Sequence, residues 1–79
     1  MIISSRLKGL MAEHEITARY LYKGLNISKN SLSLRINGHR KWMYWELIYI
    51  AKQFGYSEIK EVFPELYNSI LKNENVFDG

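Results

Sequence analysis

Helix starts and helix stops alternate so closely along this chain that no element longer than a few turns can form. Ser4 or Ser5 can cap a first helix that runs to about His14, and Thr17 can cap a second that Asn26 stops. Ser28 can cap a third, closed by Asn37-Gly38, while a fourth runs from Met43 or Tyr44 to Phe54 and stops at Gly55. Ser and Thr suit the starts because their oxygens accept a free amide of the first turn, and Asn and Gly suit the stops because they tolerate left-handed backbone. Within these bounds apolar residues fall at helical spacing: Ile3, Leu7, Leu10 and Met11, then Ala18, Leu21 and Leu25, then Leu32 and Ile36, then Leu47, Ile50, Ala51 and Phe54. Ser57 opens a shorter turn through Ile59, Val62 and Phe63. Pro64 restarts the chain, and Leu66, Tyr67, Ile70 and Leu71 form an amphipathic segment ahead of a polar tail from Lys72. The run "LIYI" at 47–50 is β-prone in composition but lies inside a helical period, so no strand competes. The expected fold is all-α, a compact bundle of about five short helices.

A chain of 79 residues without cysteine has to hold itself together by its core, with neither disulfides nor thiolate metal ligands to staple it. Only His14 and His39 remain as nitrogen ligands, at no metal spacing, so no metal and no cofactor is expected. Residues 1–63 are expected to carry the functional unit, with 64–79 an amphipathic extension and tail of the same domain. No leader pattern stands at the N terminus and no apolar run approaches a membrane span, so the expected location is cytoplasmic. Asn26-Ile27-Ser28 matches a glycosylation acceptor, a chance match under that expectation.

Charge is divided unevenly along the chain. Residues 1–41 carry eight Lys or Arg against Glu13 and Glu15, a balance of +6, while residues 42–79 carry three against six acids, a balance of −3. Between 16 and 41 there is no acid at all, which fits a surface that faces a polyanion. The same region holds a helix of about eight residues, a tight turn and a second short helix with a polar outer side, the pattern of a helix-turn-helix. Ser28, Lys29, Asn30, Ser33 and Leu34 lie on the outer side of that second helix. Lysine can donate to guanine O6 or N7, asparagine can pair with adenine N6 and N7, and leucine can cover a thymine methyl.

Through "RLKGLMAEHEIT" (6–17), Leu21, Leu25, "ISKNSLSLRING" (27–38) and "ELIYIAKQFGYS" (46–57), the chain resembles the lambda-repressor-like helix-turn-helix domains of the Cro and XRE type. The resemblance covers roughly residues 3–63. It implies a small phage or prophage regulator, a repressor or Cro-like protein that binds double-stranded DNA at operator half-sites and works as a homodimer, at least on DNA. It also implies base contacts from Lys29, Asn30 and Leu34, with Ser28 and Ser33 beside them. Phosphate contacts would come from Thr17, Ala18 and Arg19 at a helix start and from Asn37, His39, Arg40 and Lys41 after the reading helix. Tyr22 stands where the family usually has alanine and must tilt outward or widen the packing; Asn26 stands where it usually has glycine. Before the fourth helix, Met43 replaces the usual Ser or Thr cap, leaving Glu46 as half of a capping box.

Several residues have simpler explanations. Arg35, between apolar neighbours, is expected to lay its stem along the core edge rather than reach a phosphate. His14 with Glu13 or Glu15 sits at a helix end with no cleft-forming partner, so catalysis is not expected. In "WMYW" (42–45), Trp42 is expected in the core, and Tyr44 and Trp45 cannot both face inward, so one of them is available to a protein partner. Ile59, Phe63, Leu66, Tyr67, Ile70 and Leu71 are candidates for a dimer contact. The rival function is a protein-binding module on the same scaffold, an antirepressor or assembly factor using Tyr44, Trp45 and the C-terminal apolar strip.

Overall fold

The computed structural model describes residues 2–71, the last four by their backbone alone. Five helices follow one another: α1 (Ser5–His14), α2 (Ala18–Leu25), α3 (Lys29–Ile36), α4 (Tyr44–Gln53) and α5 (Pro64–Leu71), with a 3-10 turn (Ile59–Glu61) between the last two. The described residues form an all-helical bundle, and none of its helices is long and apolar enough to cross a membrane.

The first four helices end in the same way. Glu15, Asn26, Gly38 and Gly55 have φ of 56°, 58°, 80° and 83°. In each case the next amide donates back across the last turn: Ile16 to the Met11 carbonyl (2.9 Å), Ile27 to Tyr22 (3.0 Å), His39 to Leu34 (2.8 Å) and Tyr56 to Ala51 (3.0 Å). These are Schellman closures, which satisfy carbonyls that the helix itself leaves open. Asn and Gly are the residues that reach this backbone at low cost, and three of the four sites have them. Glu15 was not flagged as a stop, because nothing in its type points to left-handed backbone.

Helix starts divide by burial. Thr17 and Ser28 are exposed, and each hydroxyl accepts an amide hydrogen of the first turn, from Tyr20 (3.1 Å) and Ser31 (3.0 Å). Ser4 stands before α1 but makes no such bond; it is buried, and its amide donates instead to the Ile36 carbonyl (2.8 Å). The carboxylate of Glu65 on α5 takes over, accepting the Arg6 amide hydrogen at 3.0 Å. A charged acceptor from a distant element thus replaces the local cap expected from Ser4 or Ser5 and ties α5 to the start of α1. At α4 the surviving half of the capping box forms: Glu46 accepts the Met43 amide hydrogen at 2.8 Å.

Leu7, Leu10, Leu21, Leu25, Leu32, Ile36, Leu47, Ile50 and Phe54 meet in one core, as their spacing indicated. Ile3 does not join them, because it precedes the first helical turn and points to solvent, while Ile2 packs on the core instead. Tyr22 is half-buried against the core. Trp42 is buried edge-on to Phe63, with ring centroids 5.2 Å apart. That contact corrects one expectation. Phe63 and Leu66 are buried in the core of this same chain, so neither offers surface to a second copy. Of the other dimer candidates, Ile59 is half-buried and Tyr67 exposed; the side chains of Ile70 and Leu71, and the tail from Lys72, lie outside the described residues. His14 packs its ring edge-on to Phe54, with centroids 5.4 Å apart.

Candidate nucleic-acid interface

Helix α3 has eight residues, and the bundle uses them by i, i+4 pairs. Leu32 and Ile36 enter the core. Arg35 faces α4: its guanidinium donates through Nε to Glu46 Oε1 (3.0 Å) and through Nη1 to the Ser31 carbonyl of its own helix (3.2 Å). Ser33 and Asn37 face α1: the Asn37 amide nitrogen donates to the Ser33 carbonyl (3.0 Å) and hydroxyl (3.3 Å), and its oxygen accepts from Lys8 Nζ at 3.2 Å. Asn30 and Leu34 remain for the outside, with Lys29 and Ser33 flanking them. Ser28, Lys29, Asn30 and Ser33 are exposed, and Leu34 is half-buried.

Two shallow concavities adjoin this face. One, of about 330 Å³, has an apolar floor that includes Met11 and Leu32 and a rim carrying Lys8, Lys29, Ser33 and Asn37. The other, about 540 Å³, is lined by Thr17, Arg19, Tyr20, Lys23, Gly24 and Tyr49. Ala18 belongs to the first and Thr17 and Arg19 to the second, so the start of α2 is the ridge between them. The first amides of α2, at Ala18 and Arg19, have no acceptor inside the helix, and the partial positive charge of the helix start is directed there. Gly24 lets Tyr49 approach the helix: a Cβ on Gly24 would collide with the Tyr49 hydroxyl. Tyr20 donates its hydroxyl hydrogen to Gln53 (2.9 Å), joining α2 to α4 behind this surface.

The residues expected at phosphates therefore divide. Thr17, Ala18 and Arg19 share the α2 start, and Asn37 borders the α1–α3 concavity, but its amide group is already engaged by Ser33 and Lys8. His39, Arg40 and Lys41 follow the closure of α3 and are exposed. The Arg40 amide donates to the Leu34 carbonyl at 3.2 Å, which holds the loop against the end of α3. Arg35 is committed to Glu46 and its stem is largely covered, as the sequence indicated. Two further lysines stand at these concavities without having been expected there: Lys8 is brought beside α3 by α1, and Lys23 lies one turn after Arg19. Both lay in the basic half of the sequence, but only the packing of α1 and α2 shows which face they join.

Tyr44 and Trp45 are both exposed, at 46% and 50%, where only one of them had to be. Tyr44, Tyr67, Ile48 and Ile59 border a third concavity of about 460 Å³ between α4 and the 3-10 turn. No family model matches this chain, and no curated protein and no solved structure matches it.

Proposed function

We propose that this chain is a sequence-specific double-stranded DNA-binding regulator of transcription, a cytoplasmic repressor or Cro-like protein of the kind found in phages and prophages. In this reading α2 and α3 act as a helix-turn-helix. The observation that carries it is the division of α3, whose Leu32 and Ile36 enter the core and whose Arg35 is held by Glu46, leaving Lys29 and Asn30 exposed, Ser33 exposed beside α1 and Leu34 half-buried, in a segment without acids. Those side chains suit base edges in a major groove. Arg19, Lys23, Lys8 and the α2 amides beside the two concavities, and the exposed His39, Arg40 and Lys41 after α3, suit the phosphates that fix register. One reading helix spans few base pairs, so binding as a homodimer to two half-sites follows, with Tyr67, the half-buried Ile59, and Ile70 and Leu71 as dimer candidates.

The test is an anisotropy titration against DNA flanking the chain's own gene and against scrambled DNA, at two salt concentrations. Lys29→Ala/Asn30→Ala should abolish the preference for flanking DNA while weak, salt-sensitive binding to scrambled DNA survives. Equal weak binding to both DNAs by the wild type would refute direct readout. A second reading, a protein-binding module, is favoured by the joint exposure of Tyr44 and Trp45. It predicts that substituting those two residues abolishes function while DNA binding is absent or unchanged.

A further inference from the structure

Resting on the DNA reading, the chain Lys8–Asn37–Ser33 leads us to infer that Ser33 reads its base as a hydrogen-bond donor, with Asn37 as the positioning residue that sets this polarity. The argument runs along three side chains. A lysine ammonium has only donors, so Asn37 must turn its oxygen to Lys8, at 3.2 Å. That turns its nitrogen towards Ser33, where it donates both to the carbonyl (3.0 Å) and to the hydroxyl oxygen (3.3 Å). The Ser33 oxygen therefore already serves as an acceptor inside the protein, and its own hydrogen, on an exposed side chain, is directed to a partner outside. A free serine hydroxyl turns to suit either a donor or an acceptor. This one is biased to donate, which favours guanine O6 or N7, adenine N7 or thymine O4 and disfavours cytosine, whose major-groove edge offers only an amino group.

Asn37→Asp inverts the logic. An aspartate there still pairs with Lys8 but offers Ser33 only acceptors, so the hydroxyl hydrogen turns inward and the lone pairs face the DNA. The experiment is binding-site selection from a randomised duplex pool with wild type, Asn37→Asp and Ser33→Ala, each shown by thermal melting to be folded. One position of the selected site should disfavour cytosine by roughly threefold to tenfold, the size of one net hydrogen bond. Asn37→Asp should move that same position towards cytosine, and Ser33→Ala should flatten it. Selection in which Asn37→Asp keeps the wild-type base at every position overturns this inference while leaving direct readout standing. A wild type that enriches no sequence overturns the DNA reading and this inference with it.

Discussion

Arg35 and Glu46 make an ion pair whose side chains are only 12% and 2% exposed, so removing one partner tests how firmly α3 is fixed to α4. In Arg35→Met the aliphatic stem is retained and the guanidinium lost. Glu46 then keeps the Met43 amide, at 2.8 Å, as a donor to a carboxylate almost without water. Breaking such a pair costs about 3–5 kcal/mol because an uncompensated buried charge remains, and the surviving amide bond places the expected loss near the lower limit. Whole domains of this length have roughly 4–12 kcal/mol to lose, so Arg35→Met should be folded but much weakened, with a melting point lower by about 12–24 °C. Replacing the carboxylate as well, in Arg35→Met/Glu46→Gln, leaves a neutral amide oxygen that can still accept from Met43. The double variant should return to within about 1–2 kcal/mol of wild type, a coupling of at least about 1 kcal/mol between the two sites. Urea unfolding followed by tryptophan fluorescence suits the measurement, since Trp42 is buried in the core beside Phe63. Equal m-values among wild type, Arg35→Met, Glu46→Gln and the double variant would show that stability alone has changed. An Arg35→Met cost below about 1 kcal/mol, with additive effects in the double variant, would refute the reasoning: the pair would then behave like an exposed one.

Glu15→Gly should stabilise the protein by about 0.5–1 kcal/mol, since glycine relieves the left-handed backbone at φ 56°; an unchanged or lower melting point would contradict this. Thr17→Ala removes the cap bond to Tyr20 and should cost about 1 kcal/mol by denaturant unfolding. Lys8→Gln should weaken binding to all DNA sequences alike and lower the slope of log affinity against log salt by about 1, whereas an unchanged slope would place Lys8 away from phosphate.

The helices were legible in the sequence wherever a stop or start depends on one residue's own chemistry. Asn26, Gly38 and Gly55 announce left-handed closures, Thr17 and Ser28 announce caps, and Leu32 and Ile36 announce the inner side of α3. What was not legible depends on partners far along the chain. Glu65 displacing Ser4 as the cap of α1 spans 59 positions to Arg6, and no local pattern records it. Phe63 and Leu66 looked like surplus apolar surface for the same reason: periodicity identifies a stripe but not whether its own protomer covers it. The expected base-contact residues sit where the sequence placed them, on the outer side of α3, whereas Lys8 joins that side only through the packing of α1.

The two polar fixtures on α3 differ in kind, and the difference bears on what they can do. Arg35–Glu46 is nearly dry, so its geometry is hard to change without a large loss of stability; it fixes the position of the helix. Lys8–Asn37–Ser33 is exposed and built of single hydrogen bonds at 3.0–3.3 Å, so it adds little stability and can be altered without unfolding the domain. A helix that only needed to pack would gain little from the second, since Leu32 and Ile36 already anchor it. A helix that presents Ser33 to a partner gains an orientation. It follows that stability and base preference should separate: Arg35→Met should lower the melting point with the selected sequence intact in whatever fraction is folded, and Asn37→Asp should do the reverse. Variants of both kinds moving stability and preference together would mean that α3 has no independent presenting surface, and the case for direct readout would fall with it.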